Sequence, residues 1–239
     1  MNKTTVQMSK EAKAKFDMVK AKLAAQGKLI STDLQFFDYL ADLQLELSSS
    51  ITPDNLSSIE KLTKNQINLK FLIKEKTKKI KIVLTDVDGV LSDGGKYYTK
   101  NGEIVKKFDT RDGMGVNVLL RNKIKTIIVT KETSLIVRKW AKEMNITNVY
   151  NGIIKKESIL TKVCKTFEVT PAEIAYIGDD INDIELMKKV GFSGTPKNSD
   201  FSTKKIADYV CKNNGGQSAF REFADIILYS KFPDKKIWY

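Results

Sequence analysis

The chain of 239 residues contains no histidine, and this absence limits the chemistry open to it. Histidine is the side chain that most often moves protons near neutral pH and binds transition metals. Its absence excludes catalysis by Ser-His-Asp or Cys-His groups and zinc sites built on histidine. Carboxylates, lysines, hydroxyl groups and a hard cation remain.

Cysteine and long apolar runs are also scarce. Two cysteines, Cys164 and Cys211, are too few for a disulfide framework or a zinc ribbon, and their neighbours predict buried or half-buried thiols. No run approaches the roughly 18 apolar residues of a membrane span, and no apolar stretch follows a basic start as in a signal peptide. We therefore expect a soluble protein in a reducing, cytoplasmic location.

Acidic residues are in the minority, since 41 Lys and Arg against 29 Asp and Glu give a formal net charge of +12. Such an excess invites comparison with nucleic-acid-binding proteins. The basic residues are spread over the whole chain, however, and only residues 74–81 form a local cluster. No stretch interleaves aromatic residues with arginine, as single-strand binders do. The charge favours a small polyanion as ligand, and specific binding of nucleic acid is not predicted.

The first 78 residues contain one glycine and one proline and place apolar residues at helical spacing. Three helices are predicted: residues 9–25, a second that follows Ser31 or Thr32, and a third that begins after Thr52. The sequence thus predicts an all-helical N-terminal extension over residues 1–78. Its apolar stripes carry no evident chemistry and suit packing on the main domain, on another subunit or on an adapter.

Residues 79–239 alternate short apolar runs with helical stretches. The predicted strands cover residues 80–85, 126–130 and 174–178, and the predicted helices cover residues 113–121, 134–144, 156–166 and 182–190. Such alternation is typical of an α/β domain with a doubly wound parallel sheet. One insertion interrupts it, because Asn101 and Gly102 lie between β-prone residues 96–99 and 103–108 and predict a β-hairpin flap.

Polar residues follow the predicted strands at the point where each ends. Asp86 and Asp88 follow the first strand, Thr130 ends the second, and the acidic residues 178–183 follow the third. Ligands of such sheets bind beyond the carboxyl ends of the strands. Paired carboxylates suit a hard cation and acid-base chemistry, and with a hydroxyl and an ammonium group they can hold and attack a phosphoryl group.

Residues 86–90, Thr130, a lysine near position 156 and residues 178–183 resemble, in this order, the four motifs of the haloacid dehalogenase superfamily of phosphohydrolases. The resemblance covers about residues 79–231 and implies a Rossmann-like fold, a Mg²⁺-dependent phosphatase and an aspartyl phosphate. Lys155 and Lys156 are both candidates for the lysine. Lys156 is preferred because the related pattern places lysine four residues after a glycine, here Gly152.

The resemblance also implies a role for each matched residue. Asp86 would be the nucleophile, and Asp88 the general acid and base. Thr130 would donate a hydrogen bond to the phosphoryl group, and Lys156 would neutralise charge. Magnesium would be held by Asp86, the main-chain carbonyl of Asp88 and Asp179. Two further acidic residues would orient the metal ligands and the lysine: Asp180 and Asp183.

The spacing of the motifs leaves no room for an inserted cap domain. Thr130 lies 44 residues after Asp86, a stretch filled by the hairpin and one helix, and Asp179 lies 23 residues after Lys156, enough for one helix and one strand. An open site leaves a phosphoryl enzyme exposed to water, and in capless relatives neighbouring subunits cover the site. We therefore expect a homo-oligomer, a tetramer as in the relatives, with the flap at residues 96–108 reaching an adjacent site.

Residues 109–115 and 215–222 resemble phosphatases of 3-deoxy-2-keto sugar acid phosphates. This group includes octulosonate 8-phosphate phosphatases, nonulosonate 9-phosphate phosphatases of sialic acid type, and the C-terminal domain of some acylneuraminate cytidylyltransferases. The resemblance implies substrate contacts by Glu132 and Asn182 and a substrate or intersubunit contact by Arg111. A surface ion pair with Asp109 or Asp112 is the less favoured alternative for Arg111. Glu132 favours the nine-carbon acid, because the eight-carbon branch usually has arginine there.

Several positions depart from that pattern. Lys131 replaces a glycine, Trp140 and Glu143 stand where basic residues are usual, and Gln217 and Ser218 are also unusual. These changes leave the identity of the sugar undecided, but they do not affect the predicted reaction class. Three functions therefore remain: a nonulosonate 9-phosphate phosphatase, an octulosonate 8-phosphate phosphatase, and a non-catalytic oligomeric scaffold or regulatory domain. The intact motif residues argue against the last.

Overall fold

The structure is a computed structural model that describes residues 71–233. The helices predicted within residues 1–70 lie outside the described residues. Residues 71–77 are helical, in agreement with the end of the third predicted helix. Ile73 of this segment packs against the hydrophobic core that follows, and Thr77 is fully buried. No helix in residues 71–233 is long and apolar enough to cross a membrane.

Within residues 71–233, eight strands form one parallel sheet and one separate hairpin. In chain order they are β1 (Ile82–Thr85), β2 (Tyr97–Thr99), β3 (Gly102–Val105), β4 (Lys125–Val129), β5 (Val149–Tyr150), β6 (Ile174–Ile177), β7 (Phe192–Thr195) and β8 (Tyr209–Val210). The parallel sheet has the order β5-β4-β1-β6-β7-β8, and β2 pairs with β3 in the antiparallel hairpin. The predicted doubly wound sheet is confirmed.

Helices cover both faces of the sheet. They are α1 (Thr110–Arg121), α2 (Leu135–Glu143), α3 (Leu160–Phe167), α4 (Ile184–Met187), α5 (Phe201–Ile206) and α6 (Ala219–Lys231). Successive side chains of a strand point to opposite faces: Val83 of β1 packs in the core beneath α1, α2 and α6, whereas Leu84 packs in the core beneath α3 and α4. Burial on both faces explains why these strands are almost entirely apolar.

The register of the sheet brings the predicted site residues together. β1 lies between β4 and β6, and its last residue, Thr85, is level with Ile128 on one side and Ile177 on the other. The residues that follow these three strands therefore emerge side by side at one edge of the sheet. This edge is where the sequence placed the candidate site.

The part of the chain that the structure describes contains no cap domain. Between β1 and β4 lie only the hairpin, its connections and α1, and between Lys156 and β6 lie one α-helix and short 3₁₀ turns. The hairpin carries four exposed apolar side chains: Tyr97, Tyr98, Ile104 and Val105. The expected capless fold with a flap is thus confirmed.

Strand β7, which lies between β6 and β8, was not predicted, because its sequence Phe-Ser-Gly-Thr is neither apolar nor alternating. All four residues are nevertheless buried. The carboxylate of Asp208 accepts hydrogen bonds from the main-chain N and the hydroxyl of Ser193. A Cβ on Gly194 would lie 2.4 Å from the ring of Phe223, so glycine lets α6 pack directly on the strand. Tertiary contacts that no local pattern reveals therefore fix this strand.

Candidate active site

The turn after β1 carries Asp86 and Asp88. The main-chain N–H of Asp86 donates to the carbonyl of Ile177 in β6, which ties the turn to the neighbouring strand. Asp86 is 6% exposed, while Asp88 is half-buried. Gly89 has φ +87°, and a Cβ there would lie 1.9 Å from Oδ2 of Asp179. Glycine is therefore needed both for the turn and for the close approach of the acidic turn after β6.

That second turn is organised by Asp183, which is fully buried. Its Oδ1 accepts from the Tyr176 hydroxyl and the Lys156 ammonium, both at 2.5 Å, and its Oδ2 accepts from the main-chain N–H groups of Asp179 at 2.9 Å and Asp180 at 3.1 Å. Four donors thus use both oxygens of Asp183. The carboxylate holds the turn and the lysine in place, and no donor within residues 71–233 bonds to the carboxyl group of Asp179.

Lys156 links the two turns. Its side chain is completely buried, and its Nζ lies 2.9 Å from Oδ2 of Asp86 and 2.5 Å from Oδ1 of Asp183. Lys155, by contrast, is exposed. The structure therefore brings Lys156, and not Lys155, to the carboxylates. A buried ammonium needs such partners to offset its lost hydration.

A cavity of about 340 Å³ opens at this edge of the sheet. Its wall contains most of the residues that the sequence singled out, and its lining residues are Asp86, Asp88, Thr130, Lys131, Glu132, Asp179, Asp180, Ile181 and Asn182. Thr130 follows β4, and its Oγ1 accepts from the main-chain N–H of Glu132 at 3.2 Å. This bond does not use the hydroxyl hydrogen of Thr130, which can therefore be donated to a group in the adjacent cavity.

Burial and neighbouring charges raise the pKa of two aspartates in this site. Burial, followed by the charge of Asp183, raises the pKa of Asp86 to about 7 against the opposing effect of Lys156. Burial and the charges of Asp86 and Asp183 raise the pKa of Asp179 to about 8. One oxygen from each of these three carboxylates lies within 4.8 Å of the others. Divalent cations bind to such sets of hard oxygen donors, and Asp86 and Asp179 both line the cavity as candidate ligands.

Sequence reasoning missed Lys106, which follows β3 of the hairpin. Its side chain is completely buried, and its Nζ lies 2.5 Å from Oδ1 of Asp88 and 2.7 Å from Oε1 of Glu103. Glu132 lies 3.8 Å from the same Nζ and forms an ion pair with Lys96, the residue before β2. The base of the hairpin therefore contacts the site of its own chain. In the sequence, nothing but strand alternation distinguishes Lys106 from its exposed neighbour Lys107.

Arg111 does not line the cavity in a single chain. It is the second residue of α1, its side chain is exposed, and its main-chain N–H donates to the capping carboxylate of Asp109 at 2.7 Å. The predicted contact of Arg111 with substrate stays a prediction.

The two stretches that suggested a sugar acid phosphatase contact each other. Asp112 of α1 accepts from the main-chain N–H of Arg221 at 2.8 Å. Gly216 donates its N–H to the carbonyl of Val90, and a Cβ on Gly215 would lie 1.7 Å from the carbonyl oxygen of Gly89. The C-terminal stretch thus supports the turn that carries Asp86 and Asp88 from behind.

Comparisons with known proteins agree with this geometry. A model of haloacid dehalogenase-like hydrolases matches residues 119–220. The 3-deoxy-D-manno-octulosonate 8-phosphate phosphatase of Haemophilus influenzae is 35% identical over 159 residues, which cover 66% of this chain and 88% of that enzyme. The cobalt-bound structure of the H. influenzae phosphatase has a TM-score of 0.64 and 36% identity, covering 65% of this chain and 91% of that one.

A second solved structure holds ligands. The phosphatase of the same name from Moraxella catarrhalis, in complex with a magnesium ion, a phosphate ion and a KDO molecule, has a TM-score of 0.65 and 34% identity. The match covers 66% of this chain and 91% of that one. The fold and the site define a Rossmann-like α/β protein with a carboxylate-rich centre at the carboxyl edge of a parallel sheet. The chain belongs to the haloacid dehalogenase-like hydrolases and is a phosphatase, a phosphoric monoester hydrolase, of that family.

Proposed function

We propose that this protein is a Mg²⁺-dependent phosphomonoesterase that hydrolyses a 2-keto-3-deoxy sugar acid phosphate through an aspartyl phosphate. The observation that carries the proposal is the pairing of Asp86 with the buried Lys156 at the mouth of a cavity that Asp88 and Thr130 also line. An ammonium 2.9 Å from the nucleophilic carboxylate lowers the repulsion that an incoming phosphate would meet.

The chemistry follows from these positions. A carboxylate oxygen of Asp86 attacks phosphorus, the bond to the sugar oxygen breaks, and its electron pair passes to that oxygen, which takes a proton from Asp88. Water then attacks the aspartyl phosphate and gives a proton to Asp88, and the Asp86 carboxylate is released. Thr130 donates a hydrogen bond to the phosphoryl oxygens. No step needs histidine, in keeping with its absence from the chain.

Magnesium fits the donor set. Asp86 and Asp179 supply carboxylate oxygens, and the main-chain carbonyl of Asp88 would complete the protein ligands, with Asp180 and Asp183 orienting them. The bound ion would neutralise charge on the phosphoryl group. Two structures of related phosphatases, which hold magnesium and cobalt, support this assignment. Burial raises the pKa of both Asp86 and Asp179, and the charge of Asp86 adds to the shift at Asp179, so a bound cation would relieve the cost of ionising them.

The identity of the sugar acid is the finer part of the proposal. Glu132 favours a nonulosonate 9-phosphate, and it lies in the cavity wall beside Thr130, where the sugar of a bound ester would extend. The alternative, 3-deoxy-D-manno-octulosonate 8-phosphate, is favoured by the names of the related phosphatases. Arg111 and Asn182 are further proposed substrate contacts. A carboxylate-bearing sugar phosphate also suits a chain with a net charge of +12.

We further propose a cytoplasmic homotetramer in which residues 79–239 form the phosphatase and residues 1–78 a helical extension. Four exposed apolar side chains on the hairpin support burial of the flap against another subunit: Tyr97, Tyr98, Ile104 and Val105. Light scattering tests this assembly, and a fully active monomer would contradict it. A non-catalytic scaffold remains the competing function.

Phosphate release from a panel of esters decides among these functions. The panel holds a nonulosonate 9-phosphate, 3-deoxy-D-manno-octulosonate 8-phosphate and common hexose phosphates, each with Mg²⁺ and with EDTA. We expect turnover of a sugar acid phosphate that EDTA abolishes and that Asp86→Asn lowers by at least about 10³-fold, since the nucleophile is lost. Absence of turnover would support the scaffold, and turnover that survives Asp86→Asn would refute the role of Asp86 as nucleophile.

A further inference from the structure

A second buried lysine contacts the candidate acid and base. The Nζ of Lys106 lies 2.5 Å from Oδ1 of Asp88 and 2.7 Å from Oε1 of Glu103, and its side chain has no exposed surface. Lys106 lies outside the strand-end motifs, because it reaches the site from the end of the hairpin. The contact therefore joins the flap to the chemistry of the site.

The two oxygens of Asp88 have different environments. Oδ1 accepts from the Lys106 ammonium and from the Ser92 hydroxyl at 3.3 Å. Oδ2 has no hydrogen-bond partner within residues 71–233, and Asp88 lines the cavity. Because an ammonium group can only donate, Oδ1 must accept and cannot carry the proton. A proton on Asp88 is thereby held at Oδ2, the oxygen left free for the ester.

We propose that Lys106 is a positioning residue that fixes the orientation of Asp88 and directs its transferable proton to Oδ2. This inference rests on the proposed role of Asp88 as general acid and base. When the bond between phosphorus and the sugar oxygen breaks, that oxygen takes the proton from Oδ2. In the second half of the reaction the attacking water returns a proton to the same atom.

A purely structural role for Lys106 makes a different prediction. Glu103 lies on the hairpin itself, so the ion pair with Glu103 alone could hold the lysine and stiffen the flap. Loss of such an anchor would slow every substrate to a similar extent. Loss of proton positioning slows only esters whose leaving group needs a proton.

The test compares two esters in single-turnover experiments with the full chain and Mg²⁺. One is the octulosonate or nonulosonate phosphate that the wild type hydrolyses faster, whose alcohol must be protonated as it leaves. The other is p-nitrophenyl phosphate, whose leaving group departs as a stable anion. Its cleavage is monitored through the burst of p-nitrophenolate. We expect Lys106→Met to slow phosphoryl transfer from the sugar ester about tenfold to 100-fold and the burst less than about threefold.

Two variants serve as matched controls. Lys107→Met changes the adjacent lysine, whose side chain is 62% exposed and whose nearest carboxylate, on Asp93, is 3.8 Å away; both rates should stay at the wild-type level. Glu103→Gln removes the partner on the hairpin but keeps the contact with Asp88, so the ratio of the two rates should stay unchanged. Lys106→Arg should restore part of the rate with the sugar ester.

Equal slowing of both esters by Lys106→Met would overturn the inference and leave the proposed function intact. If Lys106→Met does not fold, Lys106→Gln takes its place with the same expected ratio. A wild-type enzyme that releases phosphate from neither ester would instead refute the proposed function, and the inference with it.

Discussion

The inner and outer ends of the cavity are built in different ways. We use inner end for Asp86, Asp179, Asp183 and Lys156, and outer end for Lys96, Lys131 and Glu132. The inner groups follow neighbouring parallel strands, and the Lys156 and Asp183 side chains have no exposed surface. At the outer end Lys131 is exposed and Glu132 half-buried, and Lys96 comes from the start of the hairpin. The side chains are therefore held in fixed positions where phosphate would bind, and they can move more freely where the sugar would bind.

One departure from the pattern of the related phosphatases lies at the outer end. Asp86, Asp88, Thr130, Lys156 and Asp179 all match the expected motifs, whereas Lys131 replaces a glycine in the outer wall. A buried charge network tolerates few substitutions, because removal of one member leaves an unpaired charge. An exposed wall can change with little effect on stability. The comparison thus predicts large effects at the inner end and small ones at the outer end.

Lys156→Met should have the largest effect on stability. It leaves Asp86 and Asp183 without their shared ammonium, and we expect a loss of about 3–5 kcal/mol in the free energy of unfolding together with loss of activity. Lys106→Met should cost less, because the side chains of Asp88 and Glu103 keep 21% and 14% exposure. Urea denaturation measures both. The control is Lys155→Met, an exposed neighbour that should change stability by less than about 0.5 kcal/mol.

The inner carboxylates should also make metal binding and stability depend on pH. With pKa values of about 7 for Asp86 and about 8 for Asp179, both groups hold protons at pH 6 that a cation must displace. Mg²⁺ affinity should therefore rise about tenfold or more between pH 6 and pH 8, as isothermal titration can measure. Affinity independent of pH in this window would show that these two groups are not ligands.

The raised pKa values of Asp86 and Asp179 also make the stability of the metal-free protein depend on pH. Both pKa values are raised above the ordinary value of 3.8, so their contribution is fully present below about pH 4 and is lost as pH rises through 7 and 8. Thermal unfolding in EDTA should show a falling midpoint over pH 5–9, and saturating Mg²⁺ should reverse that fall. Asp86→Asn should reduce the slope without metal.

Gly215→Ala tests the support behind the inner end. The added Cβ would lie 1.7 Å from the carbonyl oxygen of Gly89, so the turn that carries Asp86 and Asp88 must shift. We expect a loss of about 1–3 kcal/mol and a lower kcat, with stability followed by urea and turnover by phosphate release. Gln217→Ala, an exposed neighbour, should leave both unchanged.

The smallest effect is expected at Lys131. Its exposed ammonium lines the cavity and has no ion-pair partner within residues 71–233. Lys131→Met should raise KM for a carboxylate-bearing sugar phosphate about twofold to fivefold and leave kcat unchanged, because exposed charge pairs contribute little. A neutral hexose phosphate should respond less. Lys100→Met, an exposed lysine at the hairpin turn, is the control, and an equal effect there would point to overall charge instead.

Much of the fold followed from local patterns. Strands β1, β4 and β6 lie within two residues of their predicted positions, because residues buried on both faces of a sheet must be apolar. The Asn-Gly turn of the hairpin and the lack of space for a cap domain were also predicted from the sequence. Two features could not be predicted from local patterns: strand β7 and the pairing of residues 109–115 with residues 215–222. For β7 the reason is that burial of Ser193 and Gly194 depends on Asp208 and Phe223.

The candidate site divides in the same way. Sequence alone determined that carboxylates, a hydroxyl and a lysine follow the strands of a parallel sheet, and parallel strands end at one edge, so those groups had to meet. It left Lys155 and Lys156 as alternatives and gave Lys106 no role. Only the tertiary structure decided both, because the packing of a helix start and the docking of a hairpin depend on contacts between residues distant in the chain. Burial of each ammonium among carboxylates selects one lysine over its neighbour.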